Sequence, residues 1–179
     1  GSVYVRANHS FHGWDKAFGK DHPEWFSTQS WEKMQEIVAE NPGWGYQLKI
    51  NPVLSNEALI KKQVEIIRGY LDGKPEPFPG AYMSAHGRKF GICINDNSNW
   101  SQHPDCVKQY EPEMGSRGNI SRYFWGYVNR VAREVGKTHP EAEIVGLAYN
   151  AYSAPPKGEF KLEPNVSVMV CRFPILYWD

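Results

Sequence analysis

The sequence has no surplus of charge of either sign: 20 lysines and arginines balance 20 aspartates and glutamates. A general nucleic-acid binder carries a basic excess, so that class is excluded. A helix that docks on anionic membranes has equally little support. No run of about 18 apolar residues occurs, so no segment reads as a membrane span. Cysteine is scarce. Cys93, Cys106 and Cys171 are too few for a disulfide framework. Cys93 and Cys171 lie in apolar runs and read as buried thiols. G-x-S-x-G, H-E-x-x-H, a Walker loop and G-x-G-x-x-G are all missing. A serine hydrolase with a nucleophile elbow, a zincin and a nucleotide enzyme therefore lack support. There is no internal repeat and no low-complexity tract. No secretory leader is visible, and with Gly1-Ser2 at the start this says nothing about compartment.

What is present is apolar and aromatic. Hydrophobic residues make up 41% and aromatic residues 14% of the 179, which argues against disorder. A chain of this length fits one domain, 1–179, burying roughly 70% of its unfolded surface. Trp14, Trp44 and Trp100 sit in polar stretches. Each either caps the core or offers a stacking platform to a ligand.

A strand-then-helix rhythm runs along the chain. VYVRAN (3–8), YQLKIN (46–51), FGICIN (90–95), EIVGLAYN (143–150) and VSVMVC (166–171) read as strands. Ser30 caps a helix over 31–40, stopped by Asn41-Pro42-Gly43. Ser55 opens a second helix that runs to about Leu71, and Asn119 caps a third over 120–136. Residues 73–80 and 96–118 read as loops. Alternating units of this kind imply an α/β fold with a parallel sheet and helical crossovers.

The strand faces differ. Ile92 and Ile94 oppose Cys93 and Asn95; Val166, Val168 and Val170 oppose Ser167, Met169 and Cys171. A doubly wound sheet is apolar on both faces. An aliphatic face opposite a mixed one instead suits a (β/α) barrel, with helices outside and a lumen within. The expectation is a partial TIM-like barrel of about five parallel strands, the remaining strands or further domains lying outside this chain. Four strands end in asparagine: Asn8, Asn51, Asn95 and Asn150. Asparagine also ends strands for local reasons, but polar groups at the carboxyl ends of barrel strands mark a ligand site.

Three strand-end loops carry the chemistry. The first holds Arg6, His9 and His12; the second holds Asn95, Asp96, Trp100, His103, Asp105 and Cys106; the third holds Tyr149 and Tyr152. Asp96 follows an apolar strand directly, which suits a catalytic carboxyl or a turn cap. Glycoside hydrolysis needs a second carboxylate. Asp15, Glu24, Asp105, Glu111 and Glu113 all lie in loops, and spacing does not choose among them. Arg6 and Lys49 would point into the lumen, toward an internal carboxylate or an acidic group on a substrate. A metal site is the rival reading for His9, His12, Asp96, His103 and Cys106. H-x2-H at a strand end is not a common zinc pattern, and His103-Pro104-Asp105-Cys106 lacks a second cysteine. No metal ligand set is assigned and no cofactor is implied.

RANHSFHGW, HPEWF, YQLKINPVLSNE, ICINDNSNW, SRYFWGYVNRVARE, IVGLAYNAYSAPP and NVSVMVC, in this order, resemble the DUF4838 domain family of bacterial polysaccharide-degrading proteins. The resemblance runs over nearly the whole chain. It implies a TIM-like barrel, a glycoside hydrolase acting on a polysaccharide or oligosaccharide, and an extracellular or periplasmic location. Members often carry a cysteine cluster after the N-D motif, where this chain has Ser101, His103 and Cys106. Catalytic residues do not carry over from the family. On the residues themselves, Asp96 is the catalytic candidate. Arg6, His9, His12, Asn95, Trp100 and Tyr149 are the substrate-binding ones. A carbohydrate-binding barrel without catalysis and a metal-dependent hydrolase are the alternatives. The expected partner is a carbohydrate substrate, with neither nucleic acid nor membrane.

Overall fold

The computed structural model describes residues 9–41, 50–76 and 85–171. Over these the order is α1 (Trp14–Phe18), α2 (Trp31–Glu40), α3 (Glu57–Leu71), β1 (Ala85–His86), β2 (Lys89–Ile92), α4 (Pro104–Val107), α5 (Ser121–Gly136), β3 (Glu143–Ala148) and β4 (Val166–Val170). The four strands form one mixed sheet in the order β1-β2-β3-β4. β2, β3 and β4 are parallel, with Ile92 opposite Gly146 and Gly146 opposite Val168. β1 is antiparallel to β2.

The α/β class and the parallel strands hold, and the count and closure change. Among the described residues the sheet is open, with three parallel strands rather than about five. The expected strand 3–8 and residues 46–49 of the next lie outside the described residues. Ile50 and Asn51 are outside any strand, and Pro52 makes only an isolated bridge to Phe26. The antiparallel β1 comes from a two-residue turn at Gly87-Arg88. Gly87 sits at φ 58, a region that costs glycine nothing and suits a tight hairpin.

The two long helices follow from apolar spacing. In α3, Leu59, Ile60, Val64, Ile66 and Ile67 are buried; in α5, Tyr123, Phe124, Tyr127, Val128, Val131, Ala132 and Val135 are buried. Residues three and four apart share a helix face, so each helix presents one apolar stripe. Each such side chain, fully buried, contributes about 1.5–3 kcal/mol. The stripes meet each other, and α5 lies on the sheet. Phe90, Ile92, Ile144 and Ala148 join the same continuous core. A polar pair is enclosed between the helices: the Tyr127 hydroxyl donates to Gln63 Oε1 at 3.4 Å. The opposite sheet face is mixed, as the alternation implies. It carries a small cluster of Val145, Leu147 and Met169 beside a Lys89–Glu143 ion pair of 2.7 Å.

Caps and crossovers refine the sequence reading. Ser30 caps α2 as expected, accepting from Lys33 N–H at 3.2 Å. For α3 the cap is Asn56, not Ser55: its Oδ1 accepts from Ala58 N–H and Leu59 N–H, both at 3.0 Å. The N-cap position of α5 is Ile120, without a side-chain bond, rather than Asn119. The β2-to-β3 crossover contains α5. The β3-to-β4 crossover contains no α-helix, because Pro155, Pro156, Gly158 and Pro164 interrupt it. It is an extended strap held to α5 at Asn129, which donates to the Lys161 carbonyl at 2.8 Å and accepts from Glu163 N–H at 2.9 Å.

Candidate functional site

Parallel strands place their carboxyl ends on one edge, and there the chain gathers its polar loops. Segment 9–12 joins the end of β2 through main chain. Ser10 N–H donates to the Cys93 carbonyl at 2.9 Å, and Cys93 N–H donates to Ser10 Oγ at 3.1 Å. His9 Nδ1 lies 2.8 Å from the Ile94 carbonyl. A carbonyl can only accept, so Nδ1 is the donor in this contact. The His9 and His12 rings stack at 5.4 Å. Burial, with the neighbouring His9 charge, lowers the His12 pKa to about 4, so its imidazole is neutral at physiological pH.

Just beyond β2, Asn95, Asn97 and Asn99 meet segment 50–51 in a lattice of carboxamides. Asn95 Nδ2 donates to the Ile50 carbonyl at 2.7 Å. Asn51 Nδ2 donates to Asn97 Oδ1, which also accepts from Asn99 N–H at 2.8 Å. Asn51 and Asn95 are buried, and among the described residues neither Oδ1 has a hydrogen-bond partner. Buried acceptors of this kind are costly unless something donates to them.

Asp96 is exposed at the tip of this edge. Its Oδ1 accepts from the Tyr149 hydroxyl at 3.1 Å. The register explains the meeting: Ile92 opposes Gly146, so Asp96 and Tyr149 leave adjacent parallel strands at nearly the same height. Burial first, then the Asp96 charge and its bond, push the Tyr149 pKa up to about 12, so the phenol stays a donor. Behind this pair lies Cys93, fully buried. Its sulfur is 3.4 Å from the Tyr152 hydroxyl and 3.8 Å from His9 Nδ1. Burial raises the thiol to about 12, so Cys93 is a neutral floor and not a thiolate nucleophile.

The structure thus brings together His9, His12, Asn95, Asp96 and Tyr149. Arg6, Asn8, Lys49 and Trp44 lie outside the described residues. Trp14 is a core residue of α1 rather than a loop platform. Trp100 is half-buried and lines a cleft toward α2, which neither Asp96 nor Tyr149 lines. The rival metal set does not gather. Cys106 is buried with its sulfur 2.9 Å from Ser55 Oγ, and His103 is exposed, accepting from Asp105 N–H at 3.3 Å at the start of α4. Among the described residues no three His, Cys, Asp or Glu side chains are placed to hold a metal ion.

Four of the five undecided carboxylates have a basic partner, a lysine or arginine for three of them and a histidine for Glu24. Glu24 meets His22 at 3.2 Å, Asp105 meets Lys108 at 2.6 Å, Glu111 meets Arg122 at 3.0 Å and Glu113 meets Lys157 at 3.0 Å. Glu111 also accepts from Lys157 N–H at 3.1 Å, which ties loop 96–118 to the strap after β3. Asp15 has no ion pair among the described residues. It is buried in α1, and that burial raises its pKa.

Asn51 and Tyr152, read from the sequence as strand-end and loop residues but not chosen as binding ones, join the site, together with Asn97 and Asn99, which the sequence reading did not single out. No helix among the described residues is long and apolar enough to cross a membrane. Comparison with curated proteins and with solved structures gives no match. The model of one family, described as a domain of unknown function, DUF4838, matches residues 2–177, and the chain belongs to that family.

Proposed function

We propose that this strand-end rim binds a carbohydrate and that Asp96 serves hydrolysis of a glycosidic bond, as acid/base or as the carboxylate that orients the substrate. The scaffold in this reading is a TIM-like (β/α) barrel, to which β2, β3 and β4 contribute three strands. The observation that carries the reading is the Tyr149–Asp96 hydrogen bond at the carboxyl edge of adjacent parallel strands. A hydroxyl donor on one oxygen holds the carboxylate in a fixed orientation beside the solvent. Around it stand neutral groups that both donate and accept: the carboxamides of Asn51, Asn95 and Asn97, and the imidazole of His12, on which the His9 ring stacks. Sugar hydroxyls also donate and accept without charge, so the match is one of chemistry. The transition state of glycoside hydrolysis is oxocarbenium-like, and a nearby carboxylate is the group that stabilises it.

A binding module without catalysis uses the same contacts. It is favoured by the lysine and arginine ion pairs that already engage Asp105, Glu111 and Glu113. The two readings separate on Asp96→Asn, which keeps size and most hydrogen bonding but removes the titrating group. In the full-length protein, assayed on a panel of polysaccharides and aryl glycosides, the catalytic role predicts a fall in turnover of about 100-fold or more, with sugar binding retained. Unchanged turnover removes Asp96 from the reaction.

A further inference from the structure

The loop that carries Asp96 does not end at the rim. Four residues on, Trp100 forms one wall of an open cleft of about 570 Å3, with Thr28, Lys33 and Ile37 on the side of α2. Rim and cleft share a support in Asn51. On the cleft side, Ser27 N–H donates to the Asn51 carbonyl at 2.8 Å, and Asn51 N–H donates to Ser27 Oγ at 3.1 Å. On the rim side, Asn51 Nδ2 donates to Asn97 Oδ1. It also reaches the Asn99 carbonyl at 3.5 Å, and Asn99 lines the cleft. The turn from rim to cleft is fixed by its own bonds: Trp100 N–H donates to the Ser98 carbonyl at 2.9 Å. Thr28 also lines the cleft, with its Oγ1 turned into the protein.

From these observations we infer that the Trp100 cleft is a second sugar subsite, continuous with the Asp96 rim, so that the substrate is an oligosaccharide chain and not a single sugar. This rests on the carbohydrate reading of the rim. Four residues of chain span at most about 14 Å, the reach of a short oligosaccharide. Trp100 packs against the core and lines the cleft, and an indole's flat apolar surface is a stacking platform for a pyranose ring. Asn99 and Lys33, both exposed, supply amide and amine partners at the margin. Lys33 is paired with Glu36 at 2.8 Å, so the cleft presents little net charge and suits neutral hydroxyl groups.

The test is calorimetric titration of the full-length protein with xylo-, cello-, manno- and galacto-oligosaccharides of one to about six units. The wild type should gain about tenfold or more in affinity between one and four units, and Trp100→Ala should flatten that gain to under about threefold. Because removing a half-buried indole can disturb folding, the wild type is also footprinted. Oxidation of Trp100, read by mass spectrometry, should be slowed by the longer oligosaccharide and not by its monosaccharide. Sugar binding with no length dependence, or with Trp100 left equally reactive, overturns the second subsite and leaves the rim reading standing. Failure of every sugar in the panel to bind overturns both.

Discussion

Gly146→Ala is the substitution whose cost can be worked most directly from the structure. Gly146 lies in the middle of β3, between β2 and β4. A Cβ built there would sit 2.5 Å from Trp125 Cζ3 and 2.9 Å from Cη2. Carbon atoms pack best at about 3.5–4.0 Å, so the ring would have to retreat by about 1 Å. Trp125 is 4% exposed and has little room to move. Its Nε1–H also donates to the Tyr152 carbonyl at 3.1 Å, a bond that a retreating ring would stretch. Overpacking costs about 1–3 kcal/mol. Loss of the hydrogen bond adds about 1 kcal/mol. The lower unfolded-state entropy of alanine returns about 0.4–1 kcal/mol. The net expectation is a destabilisation of about 2–3 kcal/mol, read as a urea midpoint lowered by roughly 1–2 M at unchanged slope. Gly126→Ala is the control. Gly126 is in α5, and the nearest atom its Cβ would meet is Gln109 Oε1 at 3.9 Å, so helix propensity should stabilise that variant by up to about 1 kcal/mol. If Gly146→Ala costs less than about 0.5 kcal/mol, within the range of an inconsequential surface change, the packing of α5 on β3 described above is wrong.

Acid should destabilise the fold through His12. Its folded pKa of about 4 lies below the unfolded value of 6.5, so the unfolded chain takes the proton first and stability falls as pH drops from 6.5 towards 4. The difference corresponds to about 3 kcal/mol for a fully buried ring, and about 2 kcal/mol once partial exposure is allowed for. In chemical denaturation, His12→Gln should lose less stability than the wild type over that window; parallel pH curves would contradict this. Asp15 acts in the opposite sense. Burial raises its pKa above 3.8, so its charge costs stability near neutral pH, and the cost is relieved as pH falls through the folded pKa. Asp15→Asn should therefore stabilise the protein at pH 7 and do little at pH 3; a loss of stability at pH 7 would point to an unrecognised cation beside the carboxylate.

The parts of the fold that could be read from sequence were those with a period. α2, α3 and α5 show apolar residues three and four apart, and β2 and β4 alternate, so their existence follows; the aliphatic face of β4 is nevertheless left largely open among the described residues, with Val168 44% and Val170 63% exposed. β1 has two residues, too few to alternate, and exists because Gly87 allows a tight turn. The helix-free crossover was marked by its prolines, but the general rule of helical crossovers concealed it. Ser55 and Asn56 are both good caps, and only geometry showed that Asn56 reaches the free N–H groups. For the site, the carboxyl-end location was legible in Asn51, Asn95 and Asp96. The Tyr149–Asp96 pairing was not, because it depends on strand register, which no single strand encodes. Trp100 read as a stacking residue, but its direction, toward α2 and away from Tyr149, came from the loop bonds at Asn97 and Ser98.

The most direct test of the central claim is to map where a sugar touches the protein. Isotope-labelled protein titrated with the best-binding oligosaccharide should show its largest chemical-shift changes at His9, Asn95–Asn99 and Tyr149, and Tyr149→Phe should weaken the interaction. A separate cleft between α3 and α5 is lined by Arg68, Arg130 and Arg133; shift changes that fall there instead, with the Asp96 and Tyr149 signals unmoved, would contradict it.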